Sequence, residues 1–132
     1  MGIRTLVNAA VVLALAIGFG ACGGSKSPSS PDPGNNGTIA ATIVIDATGN
    51  VTPKDVAVPA GSRVTFRNNH NTIHQMSSDP HPEHTLCPSL NIAQLSPGQS
   101  GTSSNLNTAI VCTYHDHLND GNAGLKGTIR VQ

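Results

Sequence analysis

The stretch that most constrains the fold runs Asp55-Val56-Ala57-Val58-Pro59-Ala60-Gly61-Ser62-Arg63-Val64-Thr65-Phe66-Arg67. Apolar residues alternate with polar or small ones on both sides of a Pro-Ala-Gly-Ser turn, the period of a half-buried strand pair. Val64 and Phe66 are predicted to face inward and Arg63 and Arg67 outward. The same reading makes Ile39 to Asp46 a first strand and Gly49-Asn50 a turn. It makes Asn91 to Leu95 a short strand, residues 101–107 a short exposed strand, and Gly127 to Val131 the closing strand. Pro80, Pro82 and Pro88 rule out a helix or central strand between Ser77 and Pro88. After residue 37 no helix longer than one or two turns is visible. The expected architecture is all-β, a Greek-key sandwich of about seven to eight strands.

The start of the chain has a different character. Arg4 precedes an apolar run from Leu6 to Phe19, too short to span a membrane comfortably, and Gly20-Ala21-Cys22 follows. This resembles a bacterial lipoprotein signal, with Phe19 in place of the usual aliphatic residue. The resemblance implies a signal peptide over 1–21 and lipidation at Cys22. Residues 22–37 are rich in Gly, Ser and Pro and read as a flexible tether, leaving 38–132 as one folded domain. The implied location is the bacterial cell envelope, lipid-anchored and facing periplasm or exterior.

Formal net charge is zero and 11% of residues are charged. Nothing basic enough to hold nucleic acid, and no polybasic membrane patch, is present. All six histidines lie between positions 70 and 117, a clustering that points to metal. The densest part is Cys112-Thr113-Tyr114-His115-Asp116-His117, a thiol and two imidazoles behind the apolar Ala109-Ile110-Val111. Soft and borderline donors of this kind suit copper or zinc.

Over residues 38–132 these features resemble the cupredoxins, the plastocyanin- and azurin-like blue copper proteins. The carrying residues are the Val-x-Val-Pro-Ala-Gly-x-x-Val-Thr-Phe hairpin, the Pro97-Gly98-Gln99-Ser100 corner, the Cys112 to His117 stretch and the last strand Gly127-Thr128-Ile129-Arg130-Val131. The resemblance implies one copper ion, held by His74, Cys112 and either His115 or His117. Leu125 stands where the family carries an axial Met and would not ligate. Met76, two residues past His74, is a core filler or a replacement thioether. His70 reads as a solvated loop residue. His81, Glu83 and His84 read as surface residues of a Pro-rich loop, or as a second metal site. Leu118 to Gly124 reads as a projecting loop near the site, where Asp120 could offer an oxygen.

Two states are open to Cys112. As a thiolate it completes a trigonal His2Cys plane, and the resemblance then implies a single-electron carrier with an unknown redox protein as partner. If it pairs with Cys87, as two cysteines in an oxidising compartment ordinarily do, His74, His115 and His117 remain as an imidazole cluster. The protein is then a non-redox copper or zinc binder, or a metal-free module of the same fold. No nucleophile–base pair stands at a recognisable spacing, so an enzyme is not expected. A monomer is expected.

Overall fold

The protein is described from a computed structural model over residues 36–132. The expected signal peptide, Cys22 and nearly all of the tether lie outside the described residues. Among the described residues, no helix is long and apolar enough to cross a membrane.

Among the described residues, eight strands form two four-stranded mixed sheets. They are β1 (Ile39–Ile45), β2 (Val51–Thr52), β3 (Asp55–Val58), β4 (Arg63–Asn68), β5 (Met76–Ser78), β6 (Ser100–Thr102), β7 (Val111–Asp116) and β8 (Gly127–Val131). One sheet has the order β2-β1-β4-β6 and the other β3-β8-β7-β5. β1 runs parallel to β4 and β3 parallel to β8, and the remaining pairs are antiparallel. The β3–β4 hairpin-like segment therefore crosses between sheets: its turn carries Gly61 at φ +84°, in the left-handed region that glycine adopts without a Cβ penalty.

The alternation seen in the sequence is the alternation of burial. Ile43 and Ile45 of β1, Val64 and Phe66 of β4, and Ile129 and Val131 of β8 meet in a single core with Cys112 and Tyr114 of β7. Phe66 and Tyr114 meet edge to face across the sheets, with ring centroids 5.3 Å apart, the arrangement that aromatic quadrupoles favour. The Tyr114 hydroxyl donates to the Lys54 carbonyl at 3.0 Å. Gly127 lies under both groups, and a Cβ there would collide with them.

Four expectations are revised. Asn91 to Leu95 forms no strand; Leu95 makes an isolated bridge to His74, while Ile92 and Leu95 fill the core without a ladder. The exposed strand expected at 101–107 is Ser100–Thr102, followed by a lone Ser62–Leu106 bridge. Residues 77 and 78, expected in the irregular loop, belong to β5, which pairs with the histidine-bearing end of β7 through Ser77 opposite His115. The expected projecting loop after His117 is two short 3-10 turns, His117–Asn119 and Ala123–Leu125.

Candidate metal centre

β7 continues in extended form through Asp116, and this decides which side chains can meet. On a strand, side chains an odd number of residues apart point to opposite faces. Cys112, Tyr114 and Asp116 fall on one face and His115 on the other. Cys112 and His115 are three apart and cannot share a metal while the strand is regular.

Cys112 is in fact bonded to Cys87. The expectation of a Cys112 thiolate ligand is thereby corrected, and the disulfide alternative is the one realised. Leu125 and Met76 are both buried in the core, at 1% and 0% exposure.

The disulfide has a second consequence. Cys87 ends the Pro-rich loop that carries Asp79, His81 and His84, so its bond to β7 pulls that loop onto the strand. Leu86 N donates to Asp79 O at 2.8 Å, and Asp79 N to Thr113 O at 3.0 Å. His84 itself sits at φ +52°, an unusual conformation for a residue with a side chain. Its backbone is held there from several sides. His84 N donates to Pro80 O at 2.7 Å, and His84 O accepts from Ser78 Oγ at 3.0 Å and Asn91 Nδ2 at 2.9 Å.

As a result His81 and His84 converge with His115 and His117. One ring nitrogen from each of the four lies within 4.8 Å of all the others. His81 Nδ1 is 3.3 Å from His115 Nε2, and His117 Nδ1 is 3.2 Å from His84 Nε2. His115 is fully buried, and its Nδ1 donates to Asp79 Oδ1 at 2.6 Å. That bond fixes the tautomer and turns Nε2 toward the other rings, the carboxylate support that metal-binding imidazoles ordinarily have. Burial pushes the Asp79 carboxyl up, but hydrogen bonds from Thr113 and His115 and the charges of His115 and Lys126 outweigh it, so it stays below the ordinary value.

The donor set fits a metal ion. Nitrogens at roughly 2.0–2.1 Å from a common tetrahedral centre lie about 3.3–3.4 Å from one another. Two spacings already match this, and the widest needs the rings to close in. His81 and His84, read as loop residues in the sequence, are the members that sequence reasoning placed outside the main site. A signal for them was present: His84 precedes Cys87 by three residues and His115 follows Cys112 by three, so a Cys87–Cys112 bond brings the two histidine pairs together.

His74, expected to share copper with His115 or His117, lies apart from this group. It is buried, hydrogen-bonded to Asp116 at 2.8 Å and to His70 at 2.9 Å. Glu83 and Asp120 are not among the converging side chains.

The crowding has a measurable effect. Burial first, and then the charges of His117, His115 and His81, hold His84 below the ordinary imidazole value of 6.5, with Glu83 pulling the other way. As pH falls, the unfolded chain takes up this proton before the folded one. The contribution of neutral His84 is therefore complete above pH 6.5 and is lost as pH falls through the lower folded value. With chelator present, the melting temperature is expected to drop from pH 7.5 toward pH 5, and to drop less in His84→Ala. Parallel pH profiles for the two proteins would contradict this account.

Two mixed sheets of this order around one core form a β-sandwich with a cupredoxin-like fold. Solved structures agree. A purple cupredoxin from Nitrosopumilus maritimus superposes with a TM-score of 0.56 at 20% identity, covering 70% of this chain and 99% of that one. The oxidized form of plastocyanin from Dryopteris crassirhizoma gives 0.55 at 22% identity, covering 69% and 99%. An oxidized mutant of amicyanin gives 0.55 at 16% identity, covering 70% and 82%. In sequence, no protein-family description and no curated protein matches the chain.

Proposed function

We propose that this protein binds copper through four imidazoles, those of His81, His84, His115 and His117, as a lipid-anchored monomer at the cell envelope. The observation that carries the reading is the convergence of the four ring nitrogens, with Asp79 orienting His115. Bound there, copper would be a divalent ion on borderline nitrogen donors, preferred over zinc by the general order of divalent affinities. His115 supplies a rigid, buried donor from the strand. His117 follows it at the strand end, and the loop closes over both with His81 and His84. Binding has to displace the contacts that the rings make with one another, which ties affinity to neutral imidazoles and hence to pH.

The protein is proposed as a copper binder without catalytic turnover, the disulfide having taken the thiolate that blue-copper chemistry uses. A second reading, single-electron carriage, rests on the near-tetrahedral spacing of two nitrogen pairs. A tetrahedral set of four nitrogens, once closed on the metal, would serve both copper oxidation states with little ligand movement.

Titration of the purified protein with Cu(II), without reductant, tests the proposal. Weak ligand-field absorption is expected, with nitrogen hyperfine structure in the paramagnetic resonance spectrum and no titratable Cys87 or Cys112 thiol after unfolding. An intense thiolate-to-copper band would overturn it. A reversible one-electron wave on the loaded protein would favour carriage over plain binding.

A further inference from the structure

Outside the four-imidazole group, the histidines that remain form a second arrangement. His74 is 3% exposed. Its Nδ1 donates to Asp116 Oδ2 at 2.8 Å, which leaves Nε2 carrying a lone pair. That nitrogen lies 2.9 Å from His70 Nδ1, and Thr72 Oγ1 is 3.2 Å from it and 2.9 Å from His70 Nδ1. Two nitrogens and a hydroxyl oxygen thus surround one point.

We infer that His70 and His74 form a second, independent metal site for a divalent cation such as Cu(II), with Thr72 beside it. Three features support it. The carboxylate–imidazole pair of Asp116 and His74 is the orientation device that metal-binding histidines share. The 2.9 Å contact between the two rings is a hydrogen bond, and about 2.9 Å is also the spacing of neighbouring nitrogens in a tetragonal Cu(II) site with bonds near 2.05 Å, so a metal can replace the shared proton without separating the rings. The site is also held in place. Asn68, fully buried, donates to Thr72 O at 2.8 Å and to Leu95 O at 2.9 Å, and its Oδ1 accepts from His70 N at 2.9 Å. Gly49 leaves room for the His70 ring, and a Cβ there would stand 3.2 Å from its Cε1. With two protein nitrogens, the site keeps positions open for water or an external donor.

The two sites lie on different faces of β7. Asp116, which anchors His74, and His115, which belongs to the four-imidazole group, are consecutive and point to opposite faces. This inference therefore does not rest on the first site.

Full-length protein is stripped with chelator and loaded with Cu(II), and the copper retained per chain is counted after gel filtration. The unaltered protein is expected to hold two ions. His70→Ala, and His70→Gln as a second variant, should each hold one, with the spectrum of the four-nitrogen site retained. The triple variant His81→Ala/His84→Ala/His117→Ala should also hold one, with hyperfine structure from two nitrogens. A single ion in the unaltered protein that both His70 variants keep, or two ions in both His70 variants, would overturn the inference. A single ion in the unaltered protein that both His70 variants lose and the triple variant keeps would instead defeat the four-imidazole reading and leave this one standing.

Discussion

Replacing both cysteines, Cys87→Ala with Cys112→Ala, is expected to lower the melting temperature by roughly 10–25 °C. The bond closes a loop with a sequence separation of 25 residues, worth about 3 kcal/mol through the entropy it removes from the unfolded chain. In a domain of this size each kcal/mol moves the midpoint by roughly 4–8 °C. The core offers little compensation, since Phe66 and Tyr114 are its aromatic residues. The double variant should also bind Cu(II) more weakly. His81 and His84 would then be held to β7 by the hydrogen bonds around Asp79, His84 and Ser78 alone, and closing the loop over His115 would have to be driven by the metal. Circular-dichroism melts and a Cu(II) competition titration check both effects. A midpoint within two or three degrees of the parent, with unchanged affinity, would show that the loop is positioned by its hydrogen bonds without the disulfide.

The fold was legible because apolar alternation and burial coincide in the long strands. Val64 and Phe66 face inward in both sequence and structure, and Ile129 and Val131 of the expected closing strand are buried. The misread segments are those where the two part company. Ser77 and Ser78 are buried polar residues of β5 and leave no apolar period to detect. Ile92 and Leu95 are buried but lie three positions apart, off the period of two that a strand needs, and they pack from an irregular segment.

The candidate site was half legible for a related reason. Strand or loop at Cys112–His117 decides which residues share a face, and local composition does not settle where the strand ends. Read as a loop, Cys112 and His115 could meet. As a strand that continues to Asp116, they cannot, and His115 instead turns toward the Pro-rich loop. That loop's histidines looked like surface residues because the contacts that bring them in are distant in sequence. Asp79 bonds to His115 across 36 positions, and His84 meets His117 across 33. Asp116, bonded to His74 across 42 positions, is likewise a buried organising residue.

Asp116→Ala is accordingly expected to be among the most damaging single substitutions in the domain. Its Oδ2 accepts from His74 Nδ1 at 2.8 Å, and its Oδ1 accepts from Gln75 N at 2.8 Å and Leu118 N at 3.3 Å. The carboxyl is 1% exposed, as deep as the core residues around it. Truncation leaves the His74 ring and the Gln75 amide without their acceptor in a place water reaches poorly, and each buried orphan costs about 1–3 kcal/mol. A loss of roughly 3 kcal/mol or more is expected. Asp116→Asn separates this effect from orientation. An amide can keep the oxygen that Gln75 and Leu118 use while presenting its NH2 to His74 Nδ1. His74 would then accept at Nδ1 and carry its proton at Nε2, facing His70. The Asn variant should therefore retain most of the stability, within about 1 kcal/mol, while losing the copper assigned to His70 and His74 and keeping that of the four-imidazole group. Denaturant unfolding of both variants, paired with a count of bound Cu(II), gives the answer. Equal stability of Asp116→Ala and the parent would mean that Asp116 does not organise this end of the sandwich. Full copper loading in Asp116→Asn would mean that it does not set the tautomer of His74.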